Sequence, residues 1–136
     1  MLRAAIEWQL AEFSRINGIA HLLQTDPACF EGAPDGARDA AVFRILQESL
    51  ANVVRHAHAS EVRVRLERCA NVLTMTVQDN GIGMPPGRPL RGSGLNGIQE
   101  RVAAIGGRFA IDSQTGSGTL LTLSFPLIQR RAMLRA

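Results

Sequence analysis

Val72-Leu73-Thr74-Met75-Thr76-Val77-Gln78-Asp79-Asn80-Gly81-Ile82-Gly83-Met84 is the stretch on which the reading of this chain turns. Apolar residues alternate with polar ones up to the acid, the pattern of a half-buried strand. Counted by two, Asp79 falls on the face of Leu73, Met75 and Val77. A carboxylate is therefore aimed at the apolar side of a sheet, where it is costly unless something hydrogen-bonds to it. Gly81 and Gly83 follow at alternate positions, where glycine serves a positive φ or the close approach of backbone to a ligand. An acid–glycine turn after a strand is the plainer account, and for the stretch alone the commoner one. The sharper account is a pocket in which Asp79 accepts hydrogen bonds from the amino group of a flat, otherwise apolar ligand.

Upstream, Glu61 to Glu67 alternates Val62, Val64 and Leu66 against Arg63 and Arg65, and Cys69-Ala70-Asn71 forms a turn. Strands 61–68 and 72–79 are thus expected to pair as an antiparallel hairpin. Downstream, Pro85 to Gly92 holds three prolines, so it is read as a loop, placed beside the pocket motif where a lid would be. Ser93 is placed to cap a helix over 94–105, with Leu95, Ile98, Val102 and Ile105 as its buried stripe and Gly106-Gly107 as its stop. Strands are expected at 108–112 and 119–125, the second with Leu121, Leu123 and Phe125 on one face and Pro126 closing it. At the other end, Ile6, Leu10, Phe13 and Ile16 mark a helix over 4–17, Gly18 stops it, and 19–24 reads as a short strand. Lone in that apolar strand, His21 is read as structural.

A second helix is expected over 39–58, its core stripe formed by Val42, Leu46, Ser49 or Leu50, Val53 and Ala57. Arg44, Glu48, Asn52 and His56 fall four apart on another side, with Arg55 three from Asn52. A solvated polar face has the same spacing. Asparagine, however, is a poor helix-interior residue. With an acid one turn before it and bases one turn after, Asn52 is placed to hold a hard cation and phosphate.

The whole chain of 136 residues fits one domain, with 46% hydrophobic and 20% charged residues marking it as globular. Cys29 and Cys69 lie in no Cys-x-x-Cys or Cys/His cluster, which gives no support to a structural metal site and fits a reducing cytoplasm. No signal peptide or membrane-length apolar run appears. A net charge of +3 and a pI near 10.0 raise the question of nucleic acid. The arginines are scattered and not interleaved with aromatics, which argues against it; a basic domain also suits a phosphate ligand. All 15 basic residues are arginine. A P-loop needs its Gly-Lys-Ser/Thr and a serine/threonine/tyrosine kinase its strand lysine, so both classes are excluded.

Gly92-Ser93-Gly94-Leu95-Asn96-Gly97 matches the dinucleotide-binding Gly-x-Gly-x-x-Gly in letters. That reading requires a buried strand immediately before it, and Pro86-Gly87-Arg88-Pro89-Leu90-Arg91 is not one. What survives is the seat for phosphate that amides make at a helix N-terminus.

Glu48 and Asn52, Asp79-x-Gly81-x-Gly83, Gly92-x-Gly94, and Gly116-x-Gly118-Thr119 together resemble the N, G1, G2 and G3 boxes of the GHKL ATPases. Within that superfamily, Glu48-Ser-Leu-Ala-Asn52-Val-Val-Arg55-His56-Ala57 and Gly92-Ser-Gly-Leu-Asn-Gly-Ile-Gln-Glu-Arg-Val102 look like the sensor histidine kinases that pair with NarL-type response regulators. The resemblance covers roughly residues 4–127. It implies an α/β (α+β) two-layer sandwich, a mixed sheet of about five strands with about three helices on one face. It also implies a division into a helical linker at 1–17, an ATP-binding catalytic domain at 18–127 and a basic tail at 128–136.

By that resemblance the cofactors are ATP and Mg²⁺. Asp79 accepts from the adenine amino group, supported by Thr119, while Gly81, Gly83 and Met84 line the base. Asn52 ligates Mg²⁺, Arg55 and His56 lie near the phosphates, and Gly92, Gly94, Leu95 and Gly97 cover them. Glu48 positions or deprotonates the attacking group. None of His21, His56 and His58 stands in a His-Asp/Glu sequence, so the phosphorylated histidine is expected on a dimerisation domain absent from this chain. The chain is then a cytoplasmic, monomeric catalytic domain of a dimeric kinase, acting on a downstream NarL-type regulator and unable to label itself. A stand-alone GHKL protein such as an anti-sigma-factor serine kinase, and a non-catalytic nucleotide-binding module, are the alternatives. The linker-like N-terminus and the Gly-Ile-Gln-Glu-Arg-Val run weigh against the first, the four intact boxes against the second.

Overall fold

A computed structural model describes residues 2–31, 36–82, 95–114 and 116–127. Helix α1 (Leu2–Asn17) leads to strand β1 (Ala20–Thr25), a 3₁₀ turn at Pro27–Phe30, and helix α2 (Gly36–Asn52). Strands β2 (Glu61–Cys69) and β3 (Val72–Asp79) follow, then helix α3 (Leu95–Ala104) and strands β4 (Arg108–Gln114) and β5 (Gly118–Pro126). The strands form one sheet in the order β1-β2-β3-β5-β4.

Alternation writes the sheet's two faces. In β2, Val62, Val64 and Leu66 are buried while Arg63 and Arg65 are exposed. β3 buries Leu73, Met75 and Val77, and β5 buries Leu121, Leu123 and Phe125. Antiparallel register sets Val77 between Val64 and Leu121, and Met75 between Leu66 and Leu123, so the three strands present one apolar floor. Each such side chain removed from water contributes roughly 1.5–3 kcal/mol. β1 runs parallel to β2, a pairing that needs a crossover, and α2 lies within it.

The helices cover that floor. α1 spaces Leu2, Ile6, Leu10 and Phe13 on one side, all buried in the same core as the sheet. Ile16, expected in this stripe, is 66% exposed, because the helix ends one residue later and its last turn passes beyond the core. α2 buries Val42, Ile45, Leu46, Ser49 and Leu50; Ile45 widens the expected stripe, as a helix packed on both sheet and neighbours requires. α3 buries Ile98 and Val102.

α2 does not run on as α-helix to residue 58. It gives way at Asn52 to a π turn over Val53–Ala57, which His58 closes in the left-handed region at φ 51. The α-helical spacing that links Asn52 to Arg55 and His56 therefore stops at Asn52. Single π turns inside helices gather at functional sites because they re-aim the side chains around them.

Candidate functional site

Asp79 ends β3 at the centre of the sheet, on the helix-covered face. Only 7% of it is exposed. Burial pushes its pKa up from 3.8, and backbone N–H groups of Gly81 and Thr119 pull the other way by donating to it. The Gly81 donor lies 2.9 Å from Oδ1. Desolvation prevails, so the carboxylate is held with less than full compensation, a state that a further donor would relieve.

The backbone around the acid is locked from two sides. Thr119 on β5 is its register partner, and the Thr119 hydroxyl lies 3.0 Å from that of Ser113 on β4. Beyond the strand, the Gly116 N–H donates to the Ile82 carbonyl at 2.6 Å, tying the β4–β5 turn to the glycine motif. Asn80 fastens the other side. Its Oδ1 accepts from the amides of Ser60 (2.9 Å) and Glu61 (3.0 Å), and its Nδ2 donates to Ser60 Oγ at 2.9 Å. The segment leaving α2 is thereby pinned to the end of β3. Sequence reasoning did not single out Asn80; the one local signal was an asparagine in a turn position, whose partners lie 19 and 20 residues away.

Along α2, Glu48 and Asn52 are one turn apart. The Glu48 carboxylate accepts from Arg101 Nε of α3 at 2.7 Å. Asn52 Oδ1 is buried and has no hydrogen-bond partner among the described residues. A buried, unpaired carbonyl-type oxygen fits a hard cation such as Mg²⁺, which takes few protein ligands and fills its remaining positions with water and phosphate oxygens. Arg55 is exposed on the π turn. Gly97 lies on α3 against Glu48. Thus Asp79, Gly81 and Thr119 come together at one end of the sheet, and Glu48 and Gly97 across α2 and α3. Gly83, Met84, Gly92 and Gly94, with the loop over 85–92 and the cap at Ser93, lie outside the described residues, as do the side chains of His56 and Leu95.

Gly118, quoted in the third glycine box but not among the expected ligand contacts, proves the most constrained of the site's described glycines. It sits at φ +89, and a Cβ there would collide with the Asp79 carbonyl oxygen and lie 2.9 Å from the Asp79 carbonyl carbon.

Fold and site define an α/β sandwich, with a buried acid ending a central strand and, on the covering helix, an amide oxygen that has no partner among the described residues. Residues 37–129 match the family of histidine kinase-, DNA gyrase B- and HSP90-like ATPases, and the chain belongs to that family. Among curated proteins it is 38% identical over 96 residues to the signal transduction histidine-protein kinase/phosphatase UhpB of Salmonella typhimurium, covering 71% of this chain and 19% of that one. It is 35% identical over 95 residues to the oxygen sensor histidine kinase NreB of Staphylococcus carnosus, covering 68% of this chain and 27% of that one. The chain spans about a fifth to a quarter of these relatives.

Among solved structures, the histidine kinase domain of the Erythrobacter litoralis EL346 blue-light activated histidine kinase superposes with a TM-score of 0.77 at 22% identity. That match covers 98% of this chain and 64% of that one. The mycobacterial sensor histidine kinase MprB gives 0.70 at 20% identity, covering 91% and 93%. Both are likenesses of fold. No helix among the described residues is long and apolar enough to cross a membrane.

Proposed function

We propose that this chain is the ATP–Mg²⁺-binding catalytic domain of a two-component sensor histidine kinase. It would donate the ATP γ-phosphate to a histidine on a dimerisation domain of the same kinase. The observation that carries the reading is the Asp79 carboxylate: buried, under-compensated, and fixed at the end of the central strand by Gly81 and Thr119. Such a group rewards a ligand that brings an N–H donor on a flat apolar body, and adenine is one.

In this reading the adenine amino group donates to Asp79, with Thr119 supporting it and Gly81, Gly83 and Met84 letting backbone approach the base. Asn52 Oδ1 would be the protein's ligand to Mg²⁺, which would supply charge neutralisation for the phosphates. Arg55, with His56 next to it in sequence, would serve the phosphates, and Gly92, Gly94, Leu95 and Gly97 would supply their cover. Glu48 positions the attacking group. Residues 1–17 are the linker from the dimerisation domain, 18–127 the catalytic domain and 128–136 a tail; the domain is monomeric, cytoplasmic and paired through its kinase with a NarL-type regulator. Residue-level likeness to UhpB and NreB favours this over a stand-alone serine kinase or a non-catalytic module.

Calorimetry of ATP–Mg²⁺ against the parent chain and Asp79→Asn tests it. Losing one charge-assisted hydrogen bond and mispairing at adenine costs at least ~1.5–3 kcal/mol, tenfold or more in affinity. A parent that binds no nucleotide, or an Asp79→Asn chain that binds as well as the parent, defeats the adenine assignment. A chain that labels itself from γ-labelled ATP defeats the division of labour between domains.

A further inference from the structure

The ion pairs within α1 are local: Arg3 with Glu7 and Arg15 with Glu12 stand on a single helix. The pair between Glu48 and Arg101 is different. It spans 53 residues of sequence and ties α2 to α3, with Nε 2.7 Å from Oε1 and side chains 29% and 43% exposed. The second carboxylate oxygen is met by the same helix. A Cβ on Gly97, one turn before Arg101, would lie 3.2 Å from Glu48 Oε2. Glycine is a poor choice for a helix, and here it leaves the room that the carboxylate occupies. One face of α3 thus receives both oxygens, one on a cation and the other on bare backbone.

We propose that Arg101 is a positioning residue that braces Glu48 against α3. It thereby fixes the phosphate-covering end of α3 relative to Asn52, one turn further along α2. The inference rests on the reading of this site as an ATP–Mg²⁺ site. An exposed ion pair alone contributes little. A carboxylate of α2 seated on α3, with one oxygen on Arg101 and the other against Gly97, forms a joint between the helices, and a joint between the cation ligand and the phosphate cover is felt by phosphate-bearing ligands. Adenosine, which engages Asp79 and carries no phosphate, does not load it.

Two measurements on the parent, Glu48→Gln, Arg101→Gln, the double variant and Arg101→Lys test the brace. In thermal unfolding without nucleotide, the two single changes should overlap, the double variant melting little below the worse single one. In calorimetry, Arg101→Gln should weaken ATP–Mg²⁺ by about three- to tenfold, the range of coupling within one ion-pair network. Adenosine affinity should stay at the parent value, and Arg101→Lys should recover most of the loss. Additive melting shifts overturn the brace. So does an Arg101→Gln chain that loses ATP–Mg²⁺ and adenosine equally, or loses neither. A parent that fails to bind ATP–Mg²⁺ defeats the site reading instead, and the melting cycle still decides whether the brace exists.

Discussion

Gly118 stands so close to Asp79 across the β3–β5 pair that a Cβ on it would occupy the space of the Asp79 carbonyl oxygen. Its φ of +89 is a conformation side chains rarely adopt. Gly118→Ala combines a clash with backbone strain and should cost about 2–5 kcal/mol in urea unfolding. Gly116 is the control. It shares a positive φ, +84, but has nothing within 4 Å of its would-be Cβ, so Gly116→Ala should cost only about 1 kcal/mol. Equal costs at the two positions would show that the close approach to Asp79 does not matter.

The raised pKa of Asp79 gives stability a definite slope with pH. Burial, its largest cause, makes the folded state hold the proton more tightly than the unfolded chain, whose value is near 3.8. Its contribution is fully present below that unfolded value and is lost as pH rises through the folded one. On the proposed adenine assignment, nucleotide would have the opposite preference, because an amino donor favours the ionised carboxylate. Lowering pH through the folded value should therefore steady the empty chain at this site while weakening ATP. Melting curves from pH 4 upward should show the parent losing this contribution relative to Asp79→Asn, in which nothing titrates. Parallel curves for the two chains would refute the linkage.

Asn80 holds three partners from one side chain, all on the segment that follows α2. Asn80→Ala leaves the Ser60 and Glu61 amides to water and should cost about 1–3 kcal/mol by denaturant unfolding. Because it also frees the exit of α2 from the end of β3, ATP–Mg²⁺ affinity should fall with it. Asn80→Asp keeps both acceptances and gives up only the donation to Ser60 Oγ, so it should fall between. An Asn80→Ala chain within about 0.5 kcal/mol of the parent would show that water replaces the clamp without loss.

Local pattern made the sheet and the placement of Asp79 legible. Alternation in β2, β3 and β5 is a period of two, and it put Asp79 on the core face before any contact was known. Pattern failed where the third dimension intervenes. The π turn at Val53–Ala57 leaves no mark on a spacing that assumes α-helix throughout. Gly118 reads as one more glycine until the β3–β5 register lays it on Asp79. Asn80 and Arg101 are ordinary surface residues in one dimension, and their partners lie tens of residues away. Sequence supplied the chemical groups of the site; what holds them in place is long-range.

Asn52 separates function from fold most cleanly. Its Oδ1 is buried with no partner among the described residues, which leaves its desolvation uncompensated there. Asn52→Ala removes that oxygen and installs the best helix former at the end of α2. Thermal unfolding of the variant without nucleotide should therefore match or exceed the parent, by up to about 1–2 kcal/mol. ATP affinity with Mg²⁺ present should drop at least about tenfold, as expected for loss of a ligand to the ion. Without Mg²⁺ the two chains should bind ATP alike, because Asn52 then has nothing to hold. A variant that melts well below the parent would show that Asn52 supports the fold, and one that keeps the Mg²⁺ response of ATP binding would show that the ion is held elsewhere.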